Sequence, residues 1–446
     1  MPIESESSQH STDTAIIGGG FCGTLAAINL LKSRSNTTQE ITIIERRSVI
    51  GPGLAYSGKS EAFKLNVPVS AMSPFEDQPN AFLEWLSKRR PETTPDEFVA
   101  RYHYGDYLNE LLSDVTLKNP HNELSTIRDE VIDLQYNLEK DRFILRLKSG
   151  DSVLAHRVIL AIGNLPREEE LFGVRLGGLL NNPYDLNLYN GVAKYSDVIV
   201  IGSGLTAVDC VLECESRGFK GSYTIISRHA KLPLPHEAQI ATPNGLIKEI
   251  NELSSEPRLR ELVSLARRWG KLLGSSQPII VALRGQVQRI WMRLSREDKG
   301  RFLRHLRHFW DVHRHRIPAQ HQTKLEQLRG EGRLQVLRGA ITEVIGDSPK
   351  GVKVKLKGGR DISGAIAFLC AGQEGDLERV RHPLIVGLLR EGIIAPGEFK
   401  LGISGKVNLP QGVRERFQVI GPLRREELWE ITAVRELRVA AADLAR

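Results

Sequence analysis

An α/β fold is predicted by three features of the 446-residue sequence. A strand–glycine turn–helix–strand pattern opens at Thr14, the same pattern recurs at Val198, and a basic segment with helically spaced apolar residues runs from Arg258 to Arg338. The length exceeds what one hydrophobic core carries, so two or three domains are expected. Apolar residues at 41% and charged residues at 26% match a globular chain rather than a disordered one. No apolar run reaches the roughly 18 residues that would suggest a membrane span, and no membrane partner is expected. The opening MPIESESSQHST is polar and acidic, lacks the basic and apolar regions of a secretory signal, and reads as a disordered tail over residues 1–12. Cys22, Cys210, Cys214 and Cys370 are scattered, which fits free thiols and a cytoplasmic location.

The first pattern is Thr14-Ala-Ile-Ile-Gly18, then Gly19-Gly20-Phe21-Cys22-Gly23, an apolar helix through Leu31, and a strand Ile41-Thr-Ile-Ile-Glu45. This order is a dinucleotide fingerprint, the mark of a Rossmann-like unit. Gly18 permits the tight turn, Gly20 lets a pyrophosphate approach the backbone, and Gly23 lets the helix lie close to the strand. The helix N-terminus supplies positive potential to the phosphates. Glu45 is placed for the ribose hydroxyls, with Arg46 beside it. A second glycine loop, Ile50-Gly51-Pro52-Gly53, follows the acid, and Val158 to Pro166 carries a strand ending at Gly163. Both features favour FAD over NAD at this site.

The second pattern is Val198-Ile-Val-Ile-Gly202-Ser-Gly204-Leu-Thr-Ala207, followed by a strand Tyr223-Thr-Ile-Ile and Ser227-Arg228. No carboxylate stands at the ribose position. A hydroxyl and a guanidinium stand there instead, and a guanidinium pairs with a 2′-phosphate that an acid would repel. NADPH is therefore expected over NADH.

Between Arg258 and Arg338 nineteen Lys/Arg face six Asp/Glu, a balance of +13 in a chain of +7. Ile290, Trp291, Leu294, Phe302, Leu306, Phe309 and Trp310 are spaced for helices, so a packed helical insertion with a solvated basic face is expected. An anionic-substrate funnel, steering of NADPH phosphates and RNA contact are the functional readings of that charge. RNA contact lacks the interleaved Gly-aromatic motifs such a role uses, which argues against a nucleic-acid partner. The histidines of this segment sit among arginines, a field hostile to cations, and no metal is expected. Cys210 and Cys214 lie one helical turn apart and read as packing residues. Leu334–Leu337, Val352–Leu356 and Ala365–Gly372 are candidate strands for a return to the first domain, and a final helix is expected from about Glu426 to Leu444.

The expected division is thus a first part of an FAD-binding domain over 13–165, a linker over 166–194, an NAD(P)-binding domain over 195–238, its basic helical insertion over 239–330, and a return to the FAD-binding domain over 331–446. In fold class this is α/β with two Rossmann-like dinucleotide-binding domains, the FAD domain interrupted by the NAD(P) domain.

Ile50–Ser57, Lys64–Phe75, His313–Arg316 and Gly421–Arg438 go beyond generic fingerprint features. With them the chain resembles a bacterial family of FAD/NAD(P)-binding proteins that includes an FAD-dependent urate hydroxylase and is similar to flavin N-hydroxylating monooxygenases. The resemblance runs from Thr14 to the C-terminus. It implies an NADPH-dependent FAD monooxygenase that hydroxylates a small polar substrate with O2 through a C4a-(hydro)peroxyflavin. It also implies flavin-borne chemistry, with Asn66, Met72 and Thr432 as candidates near the reacting centre, and Pro68, Trp429 and Glu430 in the same segments. Many such proteins carry Gly-Asp before the last helix; here Gly421 is followed by Pro422, so an aspartate contact to the flavin chain is not expected. Two alternatives stay open: an NAD(P)H-dependent flavin reductase or dehydrogenase without oxygen insertion, and a flavin-binding RNA-associated protein.

Overall fold

The computed structural model describes residues 9–33, 37–167, 179–180, 183–237, 241–347, 351–407 and 409–445. Most of the expected linker lies outside these residues.

The first part of the chain runs β1 (Gln9–Ile17), α1 (Phe21–Lys32), β2 (Glu40–Ile44), α2 (Ala81–Ser87), α3 (Arg101–Lys118), β3 (Glu123–Ile127), β4 (Val131–Asn137), β5 (Arg142–Leu147) and β6 (Ser152–Leu160). β1 is parallel to β2 and β6, and β2 to β3, while β4, β5 and β6 form an antiparallel meander. The strand order is β3-β2-β1-β6-β5-β4. One face is covered by α1, α2 and α3, where Leu25, Ile28, Phe82, Tyr104 and Leu108 are buried. Buried on both faces, the parallel strands read as apolar runs such as Ala15-Ile-Ile17.

The second unit follows with β7 (Leu179–Leu180), β8 (Asp197–Ile201), α4 (Leu205–Ser216) and β9 (Ser222–Ser227). The insertion comes next as α5 (Asn244–Leu253), α6 (Leu259–Leu273), α7 (Gln277–Arg284), α8 (Val287–Arg293), α9 (Arg296–Arg301), a π-helical turn over Phe302–Leu306, α10 (Arg307–Arg314) and α11 (Ala319–Gly330). Then come β10 (Leu334–Arg338), β11 (Ile341–Asp347), β12 (Gly351–Leu356), β13 (Asp361–Gly364) and β14 (Ile366–Leu369). β10-β9-β8-β14-β7 make an all-parallel sheet, and β11-β12-β13 a small antiparallel one packed beside it.

The chain closes with α12 (Pro383–Arg390), β15 (Ile394–Pro396), β16 (Ile403–Val407), β17 (Phe417–Val419) and α13 (Val434–Asp443). α12 packs on the meander side of the first sheet, where Leu384, Ile385 and Leu388 join Leu134, Phe143 and Leu145. β17 adds to the C-terminal half of β6 in parallel, and α13 packs against α1 through Leu437 and Ala441.

Three expectations are corrected. β1 starts at Gln9, inside the stretch expected as a tail, because Gln9–Thr12 pair with Ser152–Ala155. The strands expected to return to the first domain belong to the second unit instead: β10 lies beside β9, β14 beside β8, and β12 is the centre of the small sheet. The return to the first sheet begins later, at Leu377 and α12. The last helix starts at Val434 rather than near Glu426, since Pro422–Arg424 form a 3-10 turn and irregular turns follow. Among the described residues no helix is long and apolar enough to cross a membrane.

Candidate dinucleotide sites

The first glycine turn leaves the C-terminal end of β1, where ligands of parallel sheets bind. Gly18 has φ +100°, and a Cβ there would lie 2.6 Å from the Ala161 carbonyl oxygen. Its N–H donates to the Ile44 carbonyl at 2.8 Å, tying the turn to β2. A Cβ on Gly23 would stand 1.8 Å from the Gly18 carbonyl oxygen, so α1 rests directly on the turn and no side chain fits between them. Gly20 caps α1 with no side-chain capping bond, which leaves the first amides of the helix to a ligand.

The second glycine loop is folded onto this turn. Gly51 donates to the Gly19 carbonyl at 2.8 Å, and a Cβ on Gly20 would sit 3.3 Å from the Gly53 Cα. Gly51 itself was not singled out by the sequence reading. Its φ of +114° and its closeness to Asn109 of α3 make it the hinge of the loop. Glu45 is buried at the end of β2, with Oε2 accepting from Gly19 N at 2.7 Å and Oε1 from Arg47 N at 2.9 Å. The Arg46 side chain points away and pairs with Glu130 at 3.1 Å. Gly163, with φ +75°, turns the chain just past β6. Gly421, with φ +98°, follows β17, and a Cβ there would lie 3.1 Å from Cys22 Sγ at the start of α1. The turns after β1, β6 and β17 therefore converge on one end of the sheet.

The second turn repeats the first. Gly202 has φ +111° and donates to the Ile226 carbonyl at 2.8 Å, as Gly18 does to Ile44. A Cβ on Gly202 would lie 2.2 Å from the Cys370 carbonyl oxygen of the strand end beside it. Gly204 caps α4 without a side-chain bond and has open space where a Cβ would be. Ala207 is buried against the sheet. Ser227 Oγ accepts from Ser203 Oγ at 2.9 Å and from Ala230 N at 3.0 Å, which fixes the turn that carries Arg228. Arg228 is exposed, and next to it the His229 ring stacks on His308 of α10 at 3.7 Å. The insertion therefore reaches back to this turn.

The remaining candidates scatter. Met72 is buried in the core formed with α1 and α3 and is a packing residue, because the 3-10 turn Val69–Ala71 directs it inward. Asn66 is half-buried, and its carbonyl accepts from His236 Nε2 at 2.9 Å, joining the first unit to the segment after β9. Pro68 caps the 3-10 turn. Thr432 is exposed in the turn before α13. Trp429 packs on Trp291 and Phe302 of the insertion, with ring centroids 4.9 Å and 5.3 Å away. Glu430 accepts from Trp310 Nε1 at 2.8 Å and Arg314 Nε at 2.9 Å. Burial raises its pKa, but Arg314, His315 and the Trp310 bond outweigh burial and hold the carboxyl below its ordinary value.

A link that the sequence reading missed joins the two units. Arg101, at the start of α3, forms a buried ion pair of 2.8 Å with Asp209 on α4, and Tyr184 Oη donates to the same carboxylate at 3.2 Å. The signal for it was a pair of acids, Asp209 and Glu213, on an otherwise largely apolar helix, Leu205–Cys214. Cys210 and Cys214 are buried as packing residues, and Cys210 Sγ lies 3.5 Å from Cys370 Sγ. Among the described residues no group of three His, Cys, Asp or Glu is arranged to hold a metal ion.

Residues 15–165 match the family model described as FAD-NAD(P)-binding. No curated protein matches the chain. Among solved structures, the ornithine N-hydroxylase of Kutzneria sp. 744 (KtzI-FADred-NADP+-L-orn) has a TM-score of 0.60 at 14% identity, covering 97% of this chain and 99% of that one. DfoA of Erwinia amylovora, a cadaverine monooxygenase bound to FAD, has a TM-score of 0.61 at 13% identity over 97% of this chain and 93% of that one. The bacillithiol disulfide reductase Bdr of Staphylococcus aureus has a TM-score of 0.52 at 15% identity over 98% and 97%. At these identities the likeness is one of fold, and the fold serves both hydroxylases and a reductase.

Proposed function

We propose that the chain is an NADPH-dependent FAD monooxygenase. The observation that carries this reading is the pair of equivalent glycine turns, Gly18–Gly23 and Gly202–Ala207. Each lies at the C-terminal end of a parallel strand, each is anchored by the same amide-to-carbonyl bond to the neighbouring strand, and each opens an uncapped helix. FAD fits the first turn, where Gly20 and Gly53 leave only backbone between them and Glu45 stands at the ribose position. Gly163 and Gly421 border the flavin half. NADPH fits the second, where Gly204 is open and Ser227 and Arg228 replace the acid.

Bound in this way, the two cofactors supply hydride transfer and oxygen activation, so no side-chain nucleophile is required. The chain's own groups bind and orient. The α1 and α4 amides hold phosphates, Glu45 accepts from ribose hydroxyls, and Arg228 neutralises a 2′-phosphate. The Arg101–Asp209 pair fixes one unit against the other, which is what a hydride transfer of defined geometry needs.

The Bdr likeness keeps a second reading in view, a reductase that hands electrons to an acceptor without inserting oxygen. Among the described residues the closest sulfur pair, Cys210 and Cys370, is buried, which disfavours a thiol-exchange version. FAD-loaded protein reduced by NADPH and then given air separates the two. A monooxygenase yields hydroxylated product from its substrate in step with NADPH consumed. Rapid transfer to a quinone, with hydrogen peroxide as the sole oxygen product for every compound tried, identifies the reductase.

A further inference from the structure

The insertion encloses a cavity that neither glycine turn uses. It measures about 370 Å³, within the range of small-molecule sites, and lies between α6, α7, α8, the π-helical turn and α10. Its walls are almost wholly apolar: Leu262, Val263, Ile280, Trp291, Phe302 and Trp429 are typical. Three observations point to an occupant. Val263 and Ile280 face the space half-buried and belong to neither hydrophobic cluster of the insertion, so apolar side chains are left without packing partners. Phe302 and Leu306 reach the wall from a π-helical turn, a geometry that costs helical hydrogen bonding and recurs at ligand sites. Trp429 belongs to the same loop as Gly421, whose turn touches the start of α1, so the cavity backs onto the loop that borders the proposed flavin site.

The charge around the cavity selects the kind of occupant. No Asp or Glu lines it, while Arg267 and His313 do. Arg425 stacks on the Trp429 ring at 4.4 Å, and its Nε is buried with no acceptor among the described residues. Burial pushes this guanidinium down to about 10 and the neighbouring Arg307 adds to the effect, while Asp311 and Glu430 offset it only in part. The charged side chains on the walls themselves are cationic, so an ammonium group would meet no carboxylate lining the space. That sets the cavity apart from what the amine substrates named for the Kutzneria and Erwinia enzymes would need.

We propose that this cavity binds the apolar body of a monocarboxylic acid, with the carboxylate drawn to the arginines at its margin. That the acid is the substrate rests on the monooxygenase reading above; that it binds does not. The inference also departs from the small polar substrate expected from the sequence, because the apolar residues that suggested only a packed helical face here surround open space.

Calorimetric titration of FAD-loaded, oxidised protein without NADPH tests the binding directly. Decanoate, as an alkyl acid, or indole-3-acetate, as an aryl acid, is expected to bind at least about tenfold more tightly than decylamine or L-ornithine. Val263→Glu and Ile280→Glu are expected to weaken the acid about tenfold or more while FAD retention and NADPH binding stay unchanged. If either variant loses FAD through misfolding, Ala266→Phe, which fills the space with an apolar ring, serves in its place. L-ornithine binding more tightly than both acids, decylamine matching decanoate, or well-folded variants with unaltered acid affinity would each overturn the proposal. An acid that binds but is neither hydroxylated nor alters NADPH oxidation would leave the cavity assigned and remove its role as the substrate site, with the monooxygenase reading decided separately by the aerobic product test above.

Discussion

Glu45 commits both carboxylate oxygens to nearby backbone, Gly19 N and Arg47 N, and so holds the first turn in shape before any ribose arrives. In the proposed FAD site a ribose hydroxyl pair would share these lone pairs, of which a carboxylate has enough for both. His321, on α11, is a different kind of buried group. Burial, and then Lys64 and Arg101, depress its pKa from 6.5 to about 4. The unfolded chain therefore binds a proton that the folded protein refuses between those values. The contribution is fully present above about pH 6.5 and is lost as pH falls toward 4, which costs roughly 3 kcal/mol across the window. Urea unfolding at pH 7 and pH 4.5 is expected to show His321→Asn losing less stability than the parent over that interval. Equal losses in both proteins would show that His321 does not titrate in this way.

At the scale of elements, the two βα turns proposed to bind the cofactors each depend on a glycine whose surroundings tolerate no Cβ. Gly202→Ala would press a methyl group onto the Cys370 carbonyl, from 2.2 Å, at a positive φ. It is expected to abolish NADPH-driven flavin reduction while bound FAD is retained. Arg228→Ala is expected to weaken NADPH by about 10- to 100-fold, as for one charge-assisted contact, and to leave NADH nearly unchanged. Equal effects on both nucleotides in stopped-flow reduction would refute the 2′-phosphate role. These turns were legible in the sequence because sterics demand glycine at fixed spacing, and the acid at Glu45 or its replacement at Ser227-Arg228 follows at the next strand end. The strands β10, β12 and β14 were legible as strands but not as members of the second unit. A short strand, whether it alternates like Val352–Leu356 or is largely buried like Ile366–Leu369, carries no label for the sheet it joins. The burial of Met72 was not legible for a related reason: a loop sequence with Pro68 shows no periodicity from which its inward turn could be read. The last helix starts later than expected because Trp429 is held in the insertion's core, while Leu437 packs with α1.

For the whole molecule, the decisive feature is that the second unit is tied to the first at several separate points. Arg101 pairs with Asp209, Ser60 donates to Glu213, His236 donates to the Asn66 carbonyl, and Phe63 is buried in the core of the second unit. The insertion in turn is held to the loop after Gly421 by Glu430, which grips Trp310 and Arg314, and by Trp291 Nε1, which donates to the Glu426 carbonyl at 2.9 Å. The two glycine turns and the apolar cavity are thereby built into one connected body rather than three loosely strung modules. The long-range pairs were beyond sequence reasoning, since residues such as Arg101 and Asp209 become neighbours only when the sheets have formed. The most direct measurement is anaerobic mixing of FAD-loaded protein with NADPH, followed by flavin absorbance. A yellow protein bleached rapidly by NADPH and more slowly by NADH is expected, with Gly202→Ala staying yellow. A protein that takes up no flavin, or whose bound flavin NADPH leaves oxidised, would contradict this expectation.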